Sequence, residues 1–122
     1  MDLKDWKPLE GIDGNFFLEG LYDDYEGIRL LLRCMKNDKV FRIFFDAVLS
    51  YRNTDEGSLL KSLQNGTIKG GLFTTHNSLF LDWYYQESFA SRDSRIIHYC
   101  IYTPNDCIDV IASFAPKVEW LT

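Results

Sequence analysis

Fifteen residues, HYCIYTPNDCIDVIA from His98 to Ala112, gather a histidine, two cysteines and two aspartates, the side chains with the widest chemical range in the chain. His98, Cys100 and Cys107 are zinc donors by type. Structural zinc sites take four ligands, usually paired as C-x2-4-C or H-x3-5-H, and neither pairing is present, so no metal or cofactor is expected. His98 with Cys107 and Asp109 across a hairpin would be the outline of a thiol nucleophile with its base and orienting carboxylate. No glycine-rich elbow and no helix N-terminus adjoins either cysteine to lower its pKa, which speaks against a catalytic thiol. Asp106 with Asp109, or Asp23 with Asp24, would serve as a carboxylate pair in acid-base catalysis, but the same spacings describe a turn residue bonding its own backbone and a solvated surface pair. The dipeptide His76-Asn77 has a nuclease flavour without any of the further ligands. There is no P-loop and no dinucleotide fingerprint.

The elements around these residues follow from hydrophobic period. RIIHYCIYT and CIDVIASF are two apolar, β-branched and aromatic runs separated by the strong turn formers Pro104, Asn105 and Asp106, which predicts a hairpin. His98, Cys100 and Tyr102 then share one face, and Ile97, Tyr99 and Ile101 the other, with a buried cysteine and a partly exposed histidine. Upstream, FFLEGLY reads as a first strand. GIRLLLRCM is a second, with Ile28, Leu30, Leu32 and Cys34 on one face, and KVFRIFFDAVLSY is a third, carrying Phe41, Ile43, Phe45, Ala47 and Leu49 on one face. The turn at 36–38 pairs the second and third antiparallel. NTDEGSLLKSLQNG has helix punctuation: Asn53 as cap, Glu56 three residues on, a stripe of Leu59, Leu60 and Leu63, and Gly66 as stop. After a short strand at LFTTH, residues 78–87 fit two patterns. A helix capped by Asn77 or Ser78 would turn Phe80, Trp83 and Tyr84 inward; a strand would alternate Leu79, Leu81, Trp83 and Tyr85. A final KVEWL strand follows Pro116. The expected class is α+β: one domain over residues 1–122, a mainly antiparallel sheet of about six or seven strands, with one or two short helices inserted after the third strand.

With 122 residues, 46% of them hydrophobic and 16% aromatic, the chain has material for a core without staples. An odd three cysteines and no charged-then-apolar leader predict free thiols in a reducing, cytoplasmic setting. The apolar runs are broken by Arg or Asp well short of the ~20 residues of a membrane helix, so no membrane association is expected. Net charge is −5, and its distribution is uneven: residues 1–26 carry eight acids against two lysines, a net of −6, and the remainder nets +1. Such a field repels nucleic acid and attracts basic partners. Within it, YDDYEG at 22–27 interleaves Tyr22 and Tyr25 with Asp23, Asp24 and Glu26, the mixture of aromatic anchors and charges that protein interfaces use. These five residues are the candidate partner-binding set. The remaining alternative is a small ligand-binding or enzymatic domain working through His98 with Asp106 or Asp109.

The order of GLYDDYEGIRLLLR, FRIFFDAVLSYRNTDEG, NSLFLDWYYQES and HYCIYTPNDCIDVIASFAPKVEW, spanning about residues 15–120, resembles small bacterial immunity proteins of polymorphic and contact-dependent growth-inhibition toxin systems. The resemblance implies a non-enzymatic cytoplasmic protein that binds a cognate toxin domain stoichiometrically, often a basic nuclease, and occludes its active site. It transfers no toxin-contacting residue by position; the candidate set rests on charge and aromatic content.

Overall fold

A computed structural model describes residues 2–55 and 70–121. In chain order the elements are β1 (Lys4–Asp5), β2 (Phe16–Asp24), β3 (Gly27–Cys34), β4 (Val40–Phe45), β5 (Ser50–Asp55), β6 (Gly71–Thr75), helix α1 (Leu79–Ser88), β7 (Ile97–Tyr102), β8 (Asp106–Ala112) and β9 (Lys117–Trp120). They form two antiparallel sheets, β1-β6-β7-β8-β5 and β2-β3-β4-β9. The α+β class holds coarsely, with strand far in excess of helix.

The alternation in β3 is realised residue for residue: Ile28, Leu30, Leu32 and Cys34 are buried, and the intervening side chains are partly exposed. With Phe41, Ile43 and Phe45 of β4 they meet Tyr99, Ile101, Ile108 and Val110 of the other sheet in one core. Each such side chain, fully buried, contributes about 1.5–3 kcal/mol.

Strands number nine among the described residues, in two sheets instead of the expected six or seven in one. Two causes account for the excess. KVFRIFFDAVLSY is not one strand: the chain leaves the four-stranded sheet after Phe45, turns a corner at Asp46–Leu49, and enters the five-stranded sheet at Ser50, so Ala47 and Leu49 are exposed. A two-residue β1 also pairs with β6. The helix expected from Asn53 to Gly66 lies, from Glu56 onward, outside the described residues; its supposed cap, Asn53, is inside β5 opposite Ile108.

Residues 79–88 are helical. The Ser78 hydroxyl accepts from the Leu81 amide at 3.1 Å as N-cap, and Phe89 ends the helix with a left-handed φ of 55°. This cap sets the phase so that Phe80 and Leu81 are buried against Ile96 and Ile111, with Tyr84 and Tyr85 packed beside them. Trp83, expected inward, is half exposed and stacks on the Phe80 ring. Helix α1 therefore covers the face of the five-stranded sheet opposite the main core. No helix among the described residues is long and apolar enough to cross a membrane.

Candidate functional site

Two places answer to the residues singled out by type. The first lies under α1. In the β7-β8 hairpin, closed by Thr103 and Asp106, His98 stands opposite Ile111 and Cys100 opposite Asp109. His98 and Asp109 are therefore diagonal neighbours on the helix-covered face. His98 Nε2–H donates to Asp109 Oδ1 at 2.7 Å, and both side chains are almost wholly buried, 2% and 3% exposed. The Tyr102 hydroxyl donates to the same oxygen at 2.6 Å, and Arg52 Nε, from β5, donates to Oδ2 at 3.1 Å. At the other ring nitrogen, Ser78 Oγ lies 2.8 Å from His98 Nδ1. In the neutral ring with Nε2 protonated, Nδ1 accepts the serine proton. The result is a closed chain, Leu81 amide to Ser78 to His98 to Asp109, with Tyr102 and Arg52 completing the carboxylate's partners. Burial pushes the Asp109 carboxyl up, but the hydrogen bonds from His98 and Tyr102 and the charge of Arg52 outweigh it, leaving the group below its ordinary value. Burial drives the Cys100 thiol up to about 12 and raises the Tyr102 phenol.

This arrangement has the membership of a serine-histidine-aspartate triad, with the serine on Nδ1 and the aspartate on Nε2. Its serine is occupied as the helix cap. Arg52, its guanidinium carbon 4.4 Å from the centroid of the Phe80 ring, and Phe80, edge-on to His98, stand over the pair. A surface groove lies outside them, lined by Tyr51, Arg52, Leu79, Phe80 and Trp83. The donor atoms of His98, Cys100 and Asp109 are within 4.8 Å of one another, a grouping by which a metal could be held. Here the carboxylate's charge is already met by Arg52, whose own charge opposes a cation, and Cys100 is kept a thiol.

The second place is the β2-β3 hairpin. Asp24 pairs with Gly27 across the two-residue turn Tyr25-Glu26. Gly27 takes φ +115°, and a Cβ there would fall 2.5 Å from the Phe45 carbonyl oxygen and 2.8 Å from the Phe44 ring. That makes glycine a requirement of this turn. Tyr25 is 96% exposed and Tyr22 50%. The three carboxylates are not equivalent. Arg29 donates to Asp24 at 2.8 Å and to Glu26 at 2.7 Å, and its guanidinium lies 5.7 Å from the Tyr22 ring centroid. Arg29 and the Glu26 amide together hold the Asp24 carboxyl below its ordinary value. Asp23 points the other way, toward the space between the sheets, and accepts from the Tyr51 hydroxyl at 2.8 Å; that bond raises the Tyr51 phenol.

No protein-family model, curated protein or solved structure matches the chain.

Of the residues named by type, the fold brings His98 and Asp109 together and keeps Asp106 apart, at the turn end of the hairpin opposite Asp55. Cys107 shares the apolar cluster of Phe73, Cys100 and Tyr102. His98, expected partly exposed, is buried because α1 packs over its face. His76 bonds the Ser94 carbonyl and Asn77 bonds Asp2, two separate surface contacts. Three members of the buried chain were not named as site residues. Tyr102 carried a signal, since alternation already placed it on the face of His98. Arg52 required the β5-β8 register and Ser78 the packing of α1 on β7, neither of which has a local signature.

Proposed function

We propose that this protein is a non-enzymatic binding protein of the immunity type, which neutralises a basic cognate toxin domain, a nuclease by class, by covering its active site in the cytoplasm. The observation that carries the reading is the β2-β3 hairpin, where Tyr22 and Tyr25 stand exposed among Asp23, Asp24 and Glu26 at the end of the −6 segment. Exposed tyrosines are rigid anchors with little rotamer entropy to lose, and an acidic surround steers a basic partner to them. The closed state of the Ser78-His98-Asp109 chain supports the same reading, because every polar member already has a structural partner.

The test is co-expression with a toxin domain drawn from a gene neighbouring this one. Growth rescued by the wild-type protein, with a one-to-one complex on size exclusion, is the expected outcome; a wild-type protein that leaves the cells unprotected overturns the immunity reading. The second reading, an enzymatic or ligand-binding domain using His98, draws on the triad membership of Ser78, His98 and Asp109. It calls for hydrolysis of a p-nitrophenyl ester that Ser78→Ala abolishes, whereas the binding reading expects only the buffer rate from both proteins.

A further inference from the structure

The corner at Asp46–Leu49 carries the chain from one sheet to the other. A groove of about 330 Å³ lies there between the β2-β3 hairpin and the β4-β5 corner. Its apolar side is formed by Ile28, Phe45, Val48 and Leu49, its rim carries Asp23 and Asp46, and Tyr51 forms the wall toward the helix-covered sheet. The ion pairs among the described residues take up Glu19, Asp24, Glu26, Asp82, Asp93, Asp109 and Glu119. Asp23 and Asp46 belong to none of them, and among the described residues the side-chain donor to Asp23 is a neutral phenol.

An opening that combines an apolar wall, an aromatic hydroxyl and two carboxylates with no ion-pair partner among the described residues is complementary to a side chain with an apolar stem and a cationic head. Arginine suits it better than lysine. Its guanidinium gives up water more readily, spreads its donors over a planar fork that reaches acceptors on both sides, and stacks on aromatic faces. We propose that this groove is the anchor site for the partner protein, receiving an arginine side chain whose guanidinium bridges Asp23 and Asp46 while its stem lies along Val48 and Leu49. The proposal rests on the binding-protein reading above and deepens it: the exposed face of the hairpin steers, and the groove beneath it anchors. Asp24 and Glu26, which already share the Arg29 guanidinium, contribute less than Asp23.

The probe is a short peptide, acetyl-Leu-Arg-Leu-amide, titrated into the uniformly 15N-labelled full chain, with its lysine and citrulline counterparts as separate arms. Shifts centred on the amides of Ile28, Phe45, Val48, Leu49 and Tyr51 are expected for the arginine peptide. They should weaken about tenfold in the Asp23→Asn, Asp46→Asn double variant, which keeps acceptors but removes charge, and stay unchanged in Glu87→Gln. Equal shifts from the citrulline peptide, equal shifts from the lysine peptide, or shifts that ignore the double variant each overturn the proposal. Should the double variant lose its dispersed spectrum, the wild-type titration in rising salt decides, since groove shifts indifferent to salt rule out the charge pairing. Protection of cells by wild-type protein together with a failed titration removes the groove alone; a successful titration without protection removes the immunity reading alone.

Discussion

Replacing Asp109 by alanine is the most informative single perturbation of the buried chain. The carboxylate accepts from His98 at 2.7 Å, from Tyr102 at 2.6 Å and from Arg52 at 3.1 Å. Arg52 is 54% exposed at its side chain and turns to water when its partner is lost. His98 and Tyr102 have no such exit, because α1 and the neighbouring strands close over them. Two buried donors without acceptors cost about 1–3 kcal/mol each, so the variant should lose about 3–5 kcal/mol, the range for removing one member of a buried pair. Against a stability of about 5–15 kcal/mol for an ordinary domain, that is about a fifth of the total or more. Urea unfolding followed by tryptophan fluorescence reads it directly; with m near ~2 kcal/mol/M the midpoint falls by about 2 M. Tyr102→Phe alone should cost about 1 kcal/mol, and its cost should largely vanish in the Asp109→Ala background, since the phenol it removes is already without its partner. A loss below ~1 kcal/mol for Asp109→Ala, or strict additivity in the double variant, would refute the structural role assigned to the chain. The same group sets a pH dependence. The fold holds the Asp109 carboxyl below its ordinary value. Its stabilisation is therefore complete above the unfolded carboxylate value of about 3.9, and is lost as pH falls through the folded value. Asp109→Asn should flatten that part of the acid unfolding curve.

Other outcomes follow from the same geometry. Gly27→Ala should cost about 1–3 kcal/mol through its positive φ, with a further loss from the 2.5 Å approach to the Phe45 carbonyl; thermal melts at neutral pH check it, and an unchanged midpoint contradicts the turn geometry. Cys34, Cys100 and Cys107 are buried and none is in a disulfide. Ellman's reagent should find no rapidly reacting thiol in the native protein and three after unfolding, and metal analysis of the purified protein should find no stoichiometric zinc. Among the hairpin acids, Asp23→Lys should weaken partner binding more than Asp24→Lys or Glu26→Lys, because Arg29 already meets the latter two. Calorimetry with the cognate toxin domain ranks them, and equal losses contradict the ranking.

Much of this fold was legible from period two. The faces of β3 and β4, the antiparallel pairing of those strands, and the Pro104-Asn105-Asp106 turn all follow from side-chain alternation and turn chemistry. The corner at Asp46–Leu49 was not, because Ala47 and Leu49 continue the apolar phase of β4 and no glycine or proline marks the break. β1 is too short to have a period. The burial of His98 had a readable sign: the strands Ile97–Tyr102 and Asp106–Ala112 are apolar or aromatic at nearly every position, the pattern of strands covered on both faces. Reading them as half-exposed left the second covering layer, α1, unassigned to that face. The acidic hairpin was legible as composition. That Arg29 pairs with Asp24 and Glu26 while Asp23 turns toward Tyr51 depends on the β2-β3 register and on the approach of a second sheet.

The acidic, tyrosine-bearing hairpin is proposed to bind a basic partner. The most direct measurement is the affinity of the full chain for the toxin domain proposed as its partner at low and high salt, with wild-type protein beside the Asp23→Lys, Asp24→Lys, Glu26→Lys variant whose folding has first been verified. Tight one-to-one binding by the wild type, an association rate that falls as salt rises, and a variant whose affinity is weaker and whose salt dependence is lost or inverted are expected of the acidic interface. A variant that binds with unchanged affinity and unchanged salt dependence would contradict it.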